Sequence, residues 1–197
     1  MFETRSKTDW RPLAIMLATM TACYAIIYRL VPFDVRGYLL FPFGAWALYS
    51  GARLSMRIAL PLTIGVFLAT DLILYRAAHY SPNYIFYVCL VVYLVLGWAL
   101  LRRSQHPGRI AVGALGGYAF FFFSSNFAAW LEPAREYYRP HTLNTLMRAY
   151  GEGLEFLRMQ PGHLIGDLAL SFMLFGAHAL LAKAYFPAEE IAIESAR

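Results

Sequence analysis

The run AAHYSPNYIFYVCLVVYLVLGWALL, Ala77 to Leu101, contains 25 consecutive residues with no Asp, Glu, Lys or Arg, and it decides the fold. A helix that crosses a hydrocarbon core of about 30 Å needs about 20 predominantly apolar residues. This run supplies them, with charge only at its borders, Arg76 and Arg102. Working outward, further runs extend from Pro12 to Tyr28, Gly37 to Ala52, Ile58 to Tyr75 past Asp71, Ile110 to Leu131, and around Asp167 to Lys183. The pattern predicts an all-α polytopic membrane protein: a six-helix transmembrane bundle forming a single integral membrane domain over residues 1–197. Its spans fall at about 12–30, 37–53, 56–75, 82–101, 109–131 and 162–183, and an external amphipathic segment, 132–161, lies between spans five and six.

Composition agrees. The chain is 59% hydrophobic and 15% charged, with mean hydropathy +0.48, against about 45–50% and about 25% for a soluble domain. So short a chain cannot wrap that much apolar material in polar surface. Aromatics at 17% exclude disorder. The two cysteines, Cys23 and Cys89, both lie in apolar runs and are expected as buried thiols, not as a disulfide, redox or metal pair.

The net charge is +5, but the basic residues do not form a stripe interleaved with aromatics, so no nucleic acid partner is expected. They flank the apolar runs, and membrane lipid is the expected surrounding. Arg5, Lys7, Arg11, Arg53, Arg57, Arg102, Arg103, Arg109, Lys183 and Arg197 fall on one side of a six-span topology. Arg29, Arg36, Arg76, Arg135, Arg139, Arg148 and Arg158 fall on the other, four of them in the long external segment. This bias places both termini in the cytoplasm of a bacterial inner membrane, multi-pass. Basic residues before a run reaching Cys23 imitate a lipoprotein signal, but the run continues through Ile27, which argues against cleavage there.

Charge at membrane depth costs about 2.5–3.5 kcal/mol on insertion scales, so it needs a partner or a purpose. Asp71 lies near the end of span three, Asp167 near the start of span six and Asn126 near the end of span five. These positions share one level in the outer half of the membrane, beneath the external segment. One reading is an outward-facing pocket with a lid; the other is interhelical hydrogen bonding of the two acids to neighbouring helices or to Ser124, Ser125 and Asn126. The candidate substrate-binding residues are Asp71, Asn126 and Asp167, with Trp130, Tyr137 and Tyr138 as stacking surface.

In the external segment, Thr142 can cap a helix in which Leu143, Leu146, Met147, Tyr150, Leu154 and Leu157 recur at helical spacing. Gly151 and Gly153 are expected to break or bend it. It reads as an interfacial helix or as a lid. His163 and Asp167 stand four apart, with His79 and His141 on the same side, yet there is no close-spaced metal motif and no metal site is assigned. A nucleophile elbow, a zinc-protease helix and a P-loop are also missing, so neither an enzyme nor a cofactor is expected. On span one, Ala14, Ala18 and Ala22 recur every four residues and form a small-residue face suited to a close helix partner, inside the bundle or beyond it.

Pro42-Phe43-Gly44-Ala45-Trp46-Ala47-Leu48-Tyr49-Ser50-Gly51-Ala52, Thr70-Asp71-Leu72, Phe122-Phe123-Ser124-Ser125-Asn126-Phe127-Ala128-Ala129-Trp130-Leu131, Gly166-Asp167-Leu168 and Leu174-Phe175-Gly176 carry a resemblance. From about Gly37 to Leu181 the chain is similar to an uncharacterised bacterial membrane protein family grouped with the substrate-binding S components of energy-coupling factor vitamin transporters. The resemblance implies a six-helix module that captures a small molecule from outside and docks on a coupling transmembrane subunit driven by ATPases. It also implies docking through Ala14, Ala18 and Ala22, and closure over the ligand by Arg29 to Arg36 and by the external segment. The expected function is therefore a substrate-binding subunit for uptake of a small vitamin-like or polar molecule. The alternative is a non-transporting membrane scaffold, in which the alanine face and the external helix are protein contacts.

Overall fold

The computed structural model describes residues 11–32, 35, 39–79, 83–132 and 135–185, and all regular structure among them is helical. The order is α1 (Arg11–Leu30), α2 (Phe43–Arg53), α3 (Met56–Ala78), α4 (Tyr84–Leu96, prolonged by a π-helical turn, Gly97–Leu101), α5 (Pro107–Leu131), a 3-10 turn (Glu136–Tyr138), α6 (Leu143–Met159) and α7 (Gly162–Tyr185). Five helices, α1, α3, α4, α5 and α7, are long and apolar enough to cross a membrane. Their outward faces carry Met20, Leu72, Val112, Phe123 and Met173 in exposed positions, the exterior that lipid and not water favours.

The stretch expected as a full second span is different. Its helix, α2, has only 11 residues, about 16 Å at 1.5 Å per residue, or half the hydrocarbon core. Leu39 to Pro42 enter it as non-helical backbone. Pro42 explains the boundary, because a proline disfavours helical backbone at the residue before it, here Phe41. Every residue from Phe43 to Ala52 is buried, and α1, α3, α4, α5 and α7 all touch this one helix. A helix that is apolar all round belongs in a core, and α2 is the central pillar of the bundle.

Its tightest crossing is with α4. A Cβ on Gly51 would overlap the carbonyl of Leu94, and one on Gly97 would overlap the carbonyl of Leu48, so each glycine admits the other helix's backbone. The π-helical turn of α4 begins at that same Gly97. Small residues at helix crossings allow the close packing on which membrane helices depend.

Local chemistry sets the other boundaries. The Asn83 side chain accepts from the Ile85 amide at the start of α4. His106 does the same for Gly108 ahead of Pro107, which opens α5 where its missing N–H costs nothing. Thr142 and Thr145 form a reciprocal capping box at α6. Helices of alternating direction bring Arg11, Arg53, Arg57, Arg102, Arg103, Arg109 and Lys183 to one end of the bundle, the basic end. The α5–α6 connection and the start of α7 lie at the opposite, far end.

Four expectations change. Ala14, Ala18 and Ala22 are buried within the chain's own core, because α1 uses its small-residue face to reach α2, α3 and α7; that face is not open to a docking partner. Cys23 is exposed on the other side of α1, and only Cys89 is a buried thiol. Gly151 and Gly153 do not break α6, which is continuous from Leu143 to Met159. Finally, α6 folds back along α5 instead of lying across the bundle mouth, held by ring contacts of Tyr150 with Phe122 and Phe123. Of the other expected closing segment, Arg29 to Arg36, residues 33, 34 and 36 lie outside the described residues, as do the chain's first ten and last twelve.

Candidate ligand-binding site

The two intramembrane acids are served differently. Asp71, on α3, is buried and accepts from the Arg29 guanidinium at the end of α1 through Oδ1. Its Oδ2 accepts from the Tyr87 hydroxyl at 2.6 Å. The Arg29 guanidinium also lies 4.0 Å from the centre of the Phe67 ring. Both carboxylate oxygens are thus satisfied and the charge is matched, so this is an internal ion pair tying α1, α3 and α4 together.

Asp167, on the second turn of α7, is equally buried, and no Lys, Arg or His pairs with it among the described residues. Tyr93 of α4 donates its hydroxyl to Oδ2. The amides of Ala45 and Gly44, in the first turn of α2, face the same carboxylate, while Oδ1 lacks a hydrogen bond of regular geometry. Pro42, the N-cap residue of α2, offers no capping side chain. A helix start left without a cap carries partial positive charge and unpaired N–H groups, and the carboxylate of a different helix fills that place. Gly44 makes it possible, because a Cβ there would overlap the Asp167 carboxylate.

The approach of Leu39 to Pro42 has an equally specific support. The Phe41 amide donates to the Gly162 carbonyl over 3.3 Å, and the Tyr24 hydroxyl donates to the Leu40 carbonyl over 2.9 Å. A Cβ on Gly166 would overlap the Phe41 backbone. Non-helical backbone at membrane depth survives only where protein satisfies its polar groups, and α1 and α7 do that here.

Asp167 lines a small chamber with Gly44, Tyr93, Cys89, Leu90 and seven further rings. Phe41 stacks on His163 with centroids 4.4 Å apart, and Phe67 and Phe86 stack at 6.0 Å. Phe121 meets Phe86 at 5.4 Å, and Phe43 and Tyr118 complete the wall. The free space at its centre is about 10 Å³, room for one water molecule at most. Chemically the chamber is a carboxylate at a helix start, enclosed by aromatic faces. Such faces attract cations, and the carboxylate accepts hydrogen bonds.

The other expected site residues lie elsewhere. Asn126 donates to the Phe122 carbonyl at 2.8 Å, and Gly153 of α6 packs on its amide. Trp130 donates from Nε1 to Thr145 Oγ1 at 3.1 Å. Tyr137 is exposed, and Tyr138 is buried and donates to Glu152 at 2.6 Å. The Tyr138 hydrogen bond, followed by burial acting in the opposite sense and the Arg148 guanidinium, holds the Glu152 carboxyl below its usual range. Burial and the same Glu152 push the Tyr138 hydroxyl up. These four residues form the joint between α5 and α6, and none of them lines the chamber. Asp71 does not line it either. Its partner Tyr87 precedes Tyr93 by six residues, about 9 Å along the axis of α4, so the two acids are held at different heights on that helix.

Sequence reasoning passed over Arg29, Tyr87, Tyr93, Gly44 and the phenylalanines of the wall. An arginine at the end of one span and an aspartate near the same end of another was a readable signal for Arg29 and Asp71. Nothing local distinguishes Tyr93 from the other tyrosines of its run.

A bundle of membrane-length helices around a buried half-helix, with a carboxylate in an aromatic chamber that has no counter-charge among the described residues, defines a helical membrane protein with an enclosed polar centre. Residues 8–190 match the profile described as a family of unknown function, DUF6580, and the chain belongs to that family. No curated protein and no solved structure matches it significantly.

Proposed function

We propose that this protein is a substrate-binding membrane subunit for uptake of a small vitamin-like molecule, and that the chamber around Asp167 is its binding site. The observation that carries the reading is a fully buried carboxylate with no cationic partner among the described residues, facing aromatic rings and the first turn of a half-helix. Buried acids without a partner are costly, and a ligand that brings positive charge or hydrogen-bond donors removes that cost. The fitting ligand is small and flat, with a protonated or strongly donating nitrogen. Binding there requires the chamber to open, and Phe156, whose ring meets His163 edge-on at 6.1 Å, ties the end of α6 to its rim.

In this reading the non-helical stretch Leu39 to Pro42 continues the half-helix toward the far end, and the two together supply a sixth crossing. Broken helices of this kind form ion and substrate sites near the midplane of transporters. The basic end then faces the cytoplasm with both termini, and residues 132–161 lie outside. The coupling subunit, energised by ATPases, meets α1 through outward residues such as Met16 and Met20 in place of the buried alanines.

The test is a thermal-unfolding screen of the full chain in lipid nanodiscs against small aromatic amines and other nitrogen heterocycles, for wild type and Asp167→Asn. A ligand present at 100 times its Kd stabilises by about 2.7 kcal/mol. Stabilisation of wild type that disappears in the variant supports the proposal. A stable Asp167→Asn protein that still responds to the same compound would refute the assigned site, and no response in wild type would favour a scaffold.

A further inference from the structure

At the basic end a second cavity, about 830 Å³, opens between α1, α2, the start of α3, the end of α4 and α7. Its volume falls in the range of small-molecule sites, about 300–1,000 Å³, whereas the chamber at Asp167 is nearly closed. Arg11, Arg53 and Arg102 line it together with His178, and Ile15 and Ile58 supply apolar wall. Among the described residues, no Asp or Glu belongs to its lining.

Arg53 is the informative residue. It ends α2, and its guanidinium lies 5.3 Å from the centre of the Phe175 ring. Its Nε and Nη2 are buried and have no hydrogen-bond partner among the described residues. Those two nitrogens form one edge of the guanidinium, the side-on fork that matches two oxygens of a phosphate or carboxylate. Buried donors without acceptors are costly, and those of a charged group more so. The neighbouring Tyr49 hydroxyl and His178 Nδ1 are 2.7 Å apart and bonded to each other, so they leave the fork unserved. Arg53 lines the cavity, and binding there requires a turn about its last side-chain torsions that brings this edge round to it.

We infer that this cavity binds a phosphate-bearing anion, with the half-buried Arg53 as its bidentate ligand and Arg102 at its exposed rim. Basic pockets between membrane helices hold phospholipid headgroups in this way, and an inorganic or small organic phosphate presents the same oxygens. The apolar wall of Ile15 and Ile58 adjoins the lipid-facing side of the bundle and accommodates the glycerol end of a lipid. The inference is independent of the Asp167 chamber.

The experiment measures anion retention by the full-length protein. Native mass spectrometry is run after exchange into mixed micelles of phosphatidylcholine with phosphatidylglycerol, and thermal unfolding is followed in phosphatidylcholine alone with and without millimolar inorganic phosphate. The variants are Arg53→Gln, Arg102→Gln and, as a control, Arg109→Gln, an exposed arginine of the same end that does not line the cavity. Wild type is expected to retain phosphatidylglycerol about tenfold over phosphatidylcholine. Arg53→Gln should remove that preference, Arg102→Gln should reduce it about threefold, and Arg109→Gln should leave it intact. Stabilisation by inorganic phosphate that Arg53→Gln abolishes identifies a free phosphate as the source; retention of the lipid alone identifies a headgroup. If Arg53→Gln does not fold, the exposed Arg102→Gln carries the test. Equal losses in Arg102→Gln and Arg109→Gln, or no preference for either anion in wild type, would overturn the inference.

Discussion

At the scale of single residues, the two buried aspartates are chemically alike and differently partnered. Asp71 is matched by Arg29 and Tyr87, and Asp167 is held by Tyr93 and the start of α2 without a counter-charge among the described residues. Breaking a buried ion pair leaves an uncompensated charge and typically costs about 3–5 kcal/mol. Arg29→Met should therefore destabilise by that amount in chemical unfolding from detergent, and Arg29→Met with Asp71→Asn should recover a substantial part of it. A double variant no more stable than Arg29→Met alone would show that the pair is not the origin of the loss. Tyr93→Phe deletes the hydroxyl that serves Asp167 and should cost about 1–3 kcal/mol, because the carboxylate keeps its burial and loses a donor.

At the scale of elements, α2 and the α5–α6 joint test two kinds of packing. Gly51 and Gly97 let α2 and α4 meet backbone to backbone, so Gly97→Leu should prevent a folded, monodisperse protein from being recovered. Gly65→Ala, where a Cβ meets nothing within 4 Å, should be neutral or slightly stabilising. Both are read by size-exclusion profile and melting temperature. At the joint, the Glu152 pKa is depressed in the folded protein. Its contribution is thus present above the unfolded carboxyl pKa and is lost as pH falls through the lower, folded value. Amide exchange over Leu143–Met159 should accelerate as pH drops through that acidic window, after correction for intrinsic rates, and Glu152→Gln should remove the step. The effect should be small, since the Glu152 side chain is 43% exposed.

For the whole molecule, the prediction concerns which segments cross. With Cys23 and Cys89 replaced by Ala, single cysteines at Val35, Ser55, Ser104 and His141 can be reacted with a membrane-impermeant maleimide on intact cells. Six crossings with cytoplasmic termini require labelling at Val35 and His141, and protection at Ser55 and Ser104 until the membrane is opened. Labelling of Val35 and Ser55 from the same side would show that Leu39 to Arg53 enters and leaves without crossing. The architecture gives this outcome weight, because one enclosed half-helix touches all five membrane-length helices and its direction fixes theirs.

The sequence by itself determined the solvent and the class. Apolar runs such as Ala77 to Leu101 are longer than any soluble core of this size can hide, and their lengths are set by bilayer thickness, a property each run carries locally. It also determined the cap at Thr142, which depends on neighbours three residues apart. Only the tertiary structure decided that α2 is a half-helix, that the alanines of α1 turn inward, and that Asp71 finds Arg29 while Asp167 finds Tyr93 and Gly44. Those are contacts between residues 42, 74 and more positions apart. Alternation of apolar and polar residues reports which segments leave water. It carries no record of which buried tyrosine or glycine meets which carboxylate, because inside an apolar bundle every helix face looks alike to its own sequence.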